Sequence, residues 1–310
     1  MLFLVQKKDE GRLLRSFLQE LGVSGALLAR LKRKEGGILQ NGTPVTVRAR
    51  LHEGDRITLC IEDEEAPVHV LPRDLPVDVL CKTADFAVLN KSADMPTHPS
   101  HGHFEDTLAN ALCYHFSTPS APFCPRFINR LDRNTTGVVL VAMHALSASI
   151  LGRAMADGQM QKTYLALVHG RLDQTQEIVT GIRRREESII FREACEVEAG
   201  ELAVTVVEPL ATNGEVTLVR LLPQTGRTHQ LRVHMAHIGH PLLGDDLYGA
   251  EDNFPRHALH AASLSFPDPS TGERKTVYAP LPCDMMSVVQ ALGKEATDLA
   301  LLQTSPKECK

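Results

Sequence analysis

No apolar run in this 310-residue chain approaches the roughly 20 residues that cross a bilayer, so no membrane association is expected. The start, "MLFLVQKKDEGR", lacks a basic region followed by a long apolar segment, which argues against a secretory signal. Cys-x-x-Cys pairs are also missing. The seven cysteines (Cys60, Cys81, Cys113, Cys124, Cys195, Cys283 and Cys309) are odd in number and scattered. Reduced thiols in a cytoplasmic protein fit this better than a disulfide framework. No internal repeat is present, nor any motif for a redox cofactor or a phosphate donor. What remains is 43% hydrophobic and 23% charged, a globular composition. The length suits about two domains with ample core.

The net charge of −5 conceals an asymmetry. Residues 1–60 hold eleven Lys and Arg against six Asp and Glu, a balance of +5. A basic module followed by the acidic "EDEE" is the kind of imbalance that matters for a polyanionic partner. The spacing of Leu13, Leu14, Phe17, Leu18 and Leu21 predicts a helix, which Gly22 would stop in a left-handed conformation. Ser24 can cap a second helix with Leu27, Leu28 and Leu31 on its apolar side. "ILQNGTPV" reads as a hairpin around Asn-Gly, and "DRITLCIE" as a further strand. Arg30, Lys32, Arg33 and Lys34 close the second helix. By themselves they are explained as cations complementing a helix C-terminus on a solvated face.

Residues 62–76, "EDEEAPVHVLPRDLP", combine acidic residues with prolines and no periodicity, and read as a linker. From Val77 to about residue 295 short apolar strands dominate: "DFAVLNK", "GVVLVAM", "KTYLALVHG", "ELAVTVVEPL", "EVTLVRLL" and "HALHAASLSF". Helical stretches fall near 105–115, 145–157 and 228–238. Without regular β-α-β alternation, the pattern predicts an α+β domain with a mixed, mostly antiparallel sheet. Residues 296–310 read as a C-terminal tail.

Three stretches bear on chemistry. "RFINRLDRNTTG" places Arg130, Leu131 and Asp132 just before the run "VVLVAM". An Asp in a turn often serves only to bond its own backbone, with Asn134, Thr135 and Gly137 as ordinary turn residues. In "KTYLALVHG", Tyr164, Ala166 and Val168 share one strand face and Leu165 and Leu167 the other. A strand tyrosine is usually packing. In "PQTGRTHQLRVHMAHIGH", Thr228 can cap a helix whose core face is Leu231, Met235 and Ile238. That leaves Arg227 at a helix N-terminus, an awkward place for a cation, and such breaches of a local rule mark candidate functional residues. The spacing of His234, His237 and His240 raises a metal enzyme as an alternative. Gly239 should end the helix before His240, however, and no carboxylate or Cys sits at ligand spacing, so no metal is expected.

Taken in order, these stretches resemble the RluA-type pseudouridine synthases over about residues 77–285. Arg130–Leu131–Asp132 matches one family motif, "KTYLALVHG" a second, and "QTGRTHQLRVHMAHIGHPLLGDDLYG" a long third, a combination far more specific than any single short motif. Residues 1–61 form a first module, and over roughly residues 10–60 its two helices with a basic end and a small hairpin resemble the S4 RNA-binding module. The resemblance implies RNA as partner and isomerisation of uridine to pseudouridine without a cofactor. It implies Asp132 as the catalytic aspartate, Tyr164 as the active-site tyrosine and Arg227 as the ion-pair partner of Asp132. Leu231 would line the uracil pocket beside Leu131, and Arg130 would meet the RNA backbone. Arg30, Lys32, Arg33 and Lys34 would bind RNA outside the site. Departures from the family pattern are Asn129 where His is usual, Thr136 where Ser is usual, and "NKSAD" where "NKPAG" is usual. Asn129, next to the flipped base by this reading, bears on RNA handling. Large-subunit rRNA is the expected substrate, with tRNA as the alternative and a non-catalytic RNA-binding assembly protein as a third reading. A monomer is the default.

Overall fold

The computed structural model describes residues 1–61, 70–118, 121–186, 188–249 and 252–304. The first half of the expected linker, residues 62–69, and the end of the expected tail, 305–310, lie outside them.

The N-terminal module follows its periodicity. Strand β1 (Leu2–Leu4) precedes helices α1 (Leu14–Glu20) and α2 (Gly25–Arg33), then β2 (Ile38–Gln40), β3 (Thr43–Pro44) and β4 (Arg56–Leu59). The Ser24 hydroxyl caps α2 by accepting from the Leu27 N–H at 3.2 Å. The Asn41-Gly42 turn has both residues at positive φ, 54° and 82°, as a two-residue hairpin of this kind demands. The sheet order is β1-β4-β2-β3. Strand β1 was not legible in the sequence, because a three-residue strand offers too little alternation to detect.

The second domain begins with β5 (Asp78–Lys82) and β6 (Phe86–Lys91), then α3 (Leu108–Phe116), β7 (Arg126–Phe127), β8 (Thr136–Ala142) and α4 (Ala145–Ala156). It continues through β9 (Gln161–His169), β10 (Gln176–Arg184), β11 (Arg192–Cys195), β12 (Glu201–Thr212), β13 (Val216–Pro223) and α5 (Gln230–His237). It closes with β14 (Leu259–Pro267), β15 (Arg274–Tyr278), α6 (Cys283–Ala291) and α7 (Lys294–Thr304). One large sheet runs β11-β10-β12-β13-β9-β14-β8-β6-β5, with β15 on β14 and β7 on β8. Every pairing is antiparallel except β14 with β8, so the expected mixed, mostly antiparallel α+β domain is found. Opposite faces of β9 feed two cores. Leu165 and Leu167 pack with Leu218 and Ala262, while Ala166, Val168 and the ring of Tyr164 pack with Val219 and Leu231.

Two boundaries differ from expectation. Residues 296–304 do not trail away. They lie in α7, whose Ala296 and Ala300, four apart, are buried in the core shared with Met285 and Val289 of α6. The latter part of the expected linker is held across α3: the Asn110 amide donates to Leu71 O at 2.8 Å, and Arg73 N–H donates to Asn110 O at 3.1 Å. The two domains also touch. The Ser149 hydroxyl of α4 donates to Gly22 O (2.6 Å) and accepts from Ser24 N–H (2.9 Å). Leu146 of α4 is buried in the N-terminal core.

Candidate active site

The parallel junction of β8 and β14 sets the site. At Gly137, φ is 109° and an added Cβ would lie 2.2 Å from the carbonyl oxygen of Ala261. Gly137 is therefore not the turn residue that its sequence context proposes; it is what lets two backbones close to contact. Beside it, Thr136 bonds His260 at 2.8 Å and Thr135 bonds His257 at 2.8 Å. These contacts hold the chain just after Asp132. Just before it, Leu131 is buried, its N–H and C=O both bonded to the Thr97 hydroxyl. Arg133 O accepts from the buried ammonium of Lys91 (2.8 Å), which also donates to Ser92 O (2.7 Å) and Met95 O (2.8 Å). Burial lowers the Lys91 pKa to about 7, against the opposing pull of Asp132. The Asp132 backbone is thus clamped on both sides.

Its carboxylate is not spent. The turn is closed by Thr135 N–H on the backbone carbonyl of Asp132 (3.1 Å), while the side chain makes no hydrogen bond or ion pair among the described residues. It faces a cavity of about 570 Å³ whose walls include Tyr164, Lys162, His229, Leu231 and Arg232. An Asp kept for backbone capping would look different. The side chain is held in reserve.

Tyr164, on β9, reaches the cavity with its ring packed in the adjoining cores. Burial first, and the Asp132 charge second, push its phenol pKa up, so it is neutral at physiological pH. Leu231, on α5, supplies an apolar wall, and Leu131 and Arg130 line the opposite side. The Arg130 guanidinium donates to the Thr228 hydroxyl at 2.9 Å, spanning the cavity mouth.

Two expected roles are altered by the geometry. Arg227 lines the cavity, but its Nη1 lies 2.7 Å from Glu201 and its Nε donates to Leu202 O at 3.0 Å. The ion pair expected between Arg227 and Asp132 is not formed, because the start of β12 runs alongside and offers a carboxylate and a carbonyl nearer to hand. Asn129 borders the cavity, yet its amide donates to Val138 O (3.0 Å) and accepts from Leu140 N–H (2.8 Å). It acts as an extra rung on β8, which commits its polar atoms to the backbone and not to a base. Arg30, Lys32, Arg33 and Lys34 lie at the end of α2, away from the cavity lining.

Two residues that sequence reasoning missed also line the cavity of Asp132. Arg232 is 4% exposed and grips Asp245 through Nε (2.8 Å) and Nη2 (2.6 Å) while lining the cavity. Burial alone disfavours its charge; Asp245 and then Asp132 restore it. His229 replaces Thr228 as the residue before α5 and has φ of 57°, the left-handed region that a side chain enters only under constraint. Its Nδ1 lies 2.9 Å from the Tyr248 hydroxyl, and burial keeps the ring neutral. The available signal for Arg232 was an arginine between Leu231 and Val233 of the predicted helix, followed by the paired acids Asp245 and Asp246. The three histidines of the metal alternative diverge. His234 is held between Thr180 and Thr205, His240 bonds His169 O, and His237 is exposed. No group of three or more metal-ligating side chains gathers among the described residues.

The chain resembles known proteins along most of its length. A family model described as RNA pseudouridylate synthase matches residues 85–237. The Bacillus subtilis protein YjbO, named an uncharacterized RNA pseudouridine synthase, is 37% identical over 278 residues, 89% of this chain and 98% of that one. A Vibrio parahaemolyticus protein named ribosomal large subunit pseudouridine synthase D is 34% identical over 287 residues, covering 86% of each chain. Among solved structures, human RNA pseudouridylate synthase domain containing 1 superposes with a TM-score of 0.56 at 28% identity. It covers 70% of this chain and 94% of its own.

Proposed function

Because the chain belongs to the RNA pseudouridine synthase family, we propose that it isomerises a uridine of large-subunit ribosomal RNA, with Asp132 as the catalytic carboxylate. The observation that carries the assignment of Asp132 is its unpartnered side chain, clamped in backbone position and facing a cavity of about 570 Å³. The reaction breaks the bond from uracil N1 to ribose C1′, turns the base, and joins C5 to C1′. The C5 proton leaves and N1 gains one, so no oxidant or group donor enters. An ionised Asp132 serves as nucleophile at C1′ or at the base, or removes a proton in an elimination route. Arg232, held in its cationic form, sets a buried positive charge in the wall of the same cavity.

Tyr164 offers a flat face for the uracil ring, and its neutral hydroxyl can donate to a carbonyl or relay the C5 proton. Leu231 and Leu131 exclude water from the base. The uridine must leave its stack to enter, and Arg130 at the mouth is placed to meet the strand it leaves behind. Support for large-subunit rRNA comes from relatives from three Vibrio species that carry that substrate in their names. Mapping pseudouridines in total RNA from cells with and without the gene tests the reading. Loss of one or more large-subunit sites is expected. Loss confined to tRNA would overturn the substrate assignment, and no loss at all would overturn the function.

A further inference from the structure

Three buried histidines of the second domain bond threonine hydroxyls, and two of them have both ring nitrogens satisfied. His234 is held by Thr180 (3.1 Å) and Thr205 (3.0 Å), and His260 by Thr136 (2.8 Å) and the carbonyl of Ala279 (3.2 Å). His257 differs. It is 2% exposed and its Nε2 bonds the Thr135 hydroxyl at 2.8 Å, but its Nδ1 has no hydrogen-bond partner among the described residues. Burial first, and the charge of Arg232 second, lower its pKa to about 3, so the ring is neutral. A neutral ring carries one N–H and one bare nitrogen, and here one of the two is desolvated without a bond in return. An unsatisfied atom of this kind weakens a core, and an apolar side chain of similar size would avoid it.

The surroundings of His257 point to what offsets that cost. Thr135 N–H closes the turn onto the carbonyl of Asp132 at 3.1 Å, and it is the Thr135 side chain that His257 holds. One residue earlier, Arg256 donates to the carbonyl of Asn134 at 2.9 Å. The turn after Asp132 is therefore fastened to Arg256 and His257. The same segment is fixed on its other side to the loop that carries Asp245. Ala258 N–H donates to Leu243 O at 2.8 Å, and a Cβ added at Gly244 would lie 2.2 Å from Arg256 O. Asp245 in turn grips Arg232 at 2.6 and 2.8 Å, and Arg232 lines the cavity together with Asp132. His257 stands in a continuous run of contacts from the Asp132 turn to Arg232.

We propose that His257 is a positioning residue for the reaction: by holding Thr135 against the Asp245 loop it fixes the separation of Asp132 and Arg232, and the core is less stable for it. The proposal rests on the reading of Asp132 as the catalytic carboxylate. His257 does not line the cavity and acts only through Thr135. Residues that serve an active site in this way trade stability for geometry, which separates His257 from the fully bonded His234 and His260.

The test compares His257→Leu, His257→Gln and His260→Leu in the full chain. Melting temperature is measured for each, and kcat and KM by tritium release from a large-subunit rRNA transcript labelled at uridine C5. His257→Leu removes the unsatisfied nitrogen, and the Thr135 hydroxyl it frees borders the cavity, where water can reach it. Its melting temperature should be unchanged or raised, while kcat falls about tenfold to a hundredfold, the loss expected of a misplaced reacting group, and KM stays the same. His257→Gln can still donate to Thr135 and should recover most of the turnover. His260→Leu leaves the Thr136 hydroxyl and the Ala279 carbonyl unbonded and should lower the melting temperature. A fall as large in His257→Leu would make His257 structural, with Nδ1 satisfied by buried water, and overturn the proposal whatever the turnover. A change in KM alone would overturn it too, as would wild-type turnover in His257→Leu where Asp132→Asn is inactive. Turnover that persists in Asp132→Asn would instead remove the reading of the site, and the proposal with it.

Discussion

The turn at Asp132 and the basic end of α2 are both short polar stretches beside apolar runs, and the fold treats them in opposite ways. At the end of α2, Arg30 and Lys34 sit 3.5 Å from the carbonyls of Ile61 and Cys60, while Lys32 and Arg33 are exposed to solvent. Cations at a helix C-terminus have a sufficient local explanation. At Asp132 the local explanation is removed: the backbone closes the turn alone, Lys91 and Thr97 hold the flanking residues, and the carboxylate is left facing a cavity. The lesson is that a polar group carries chemistry where its neighbours relieve it of structural duty.

The comparison breaks most visibly at Asp132 itself. Asp132→Asn should reduce tritium release from C5-labelled RNA to background, while stability moves by no more than about 0.5 kcal/mol, since the carboxylate has no partner to lose. Substantial turnover by this variant would return Asp132 to the status of a turn residue.

Next in size are the two arginines. Arg232→Met strands Asp245 as a buried, unpaired charge and should cost about 3–5 kcal/mol in urea unfolding. Adding Asp245→Asn should recover most of that stability without restoring turnover. Arg227→Met, by contrast, loses only an exposed pair worth about 0–1 kcal/mol. Equal costs for the two arginines would mean that Arg227 reaches a buried carboxylate, as the sequence had led us to expect.

Glycines at positive φ separate the two regions further. At Gly42 an added Cβ meets nothing within 4 Å, so Gly42→Ala should cost only the backbone conformation, about 1–2 kcal/mol. Gly137→Ala pays that cost and also drives a Cβ into the backbone of Ala261, so its loss should be larger, and turnover should fall as β8 shifts Asp132. Comparable losses at both sites would show that the β8–β14 junction yields.

The smallest expected effect lies at α2. If its exposed cations hold RNA, Lys32→Ser with Arg33→Ser should lower the salt slope of RNA binding by about 1.4–1.8 and leave stability unchanged. An unchanged slope would make the cluster a solvated helix end. Point changes are preferable to removing the N-terminal module, which would uncover Leu146 and Ile150 of α4.

Several elements could be read directly from the chain. The two N-terminal helices, the Asn41-Gly42 hairpin, the Ser24 cap and the alternating faces of β9 follow from spacing and local conformational preference. Those are properties of neighbours in sequence. Asp132, Tyr164 and Leu231 were found through the ordered motifs, and all three line one cavity. The edge strand β11 and its neighbour β10 were missed although Ile178, Thr180 and Ile182 alternate, because the run Arg183–Arg184–Arg185 ends the pattern on the solvent side. Helices α6 and α7 were missed because small residues such as Ala296 and Ala300 give little amphipathic contrast.

Sequence by itself therefore determined the N-terminal helices and the main apolar strands, that the chain carries the motifs of an RNA-modifying family, and which aspartate those motifs single out. Tertiary structure decided the electrostatics of the site. It gave Arg227 to Glu201, brought Arg232 toward Asp132 with Asp245 behind it, and committed Asn129 to the backbone of β8. The physical reason is that a hydrogen bond or ion pair is won by whichever partner is nearest in space. For Arg227 that partner lies 26 residues away in sequence, on a strand whose path only the whole sheet fixes.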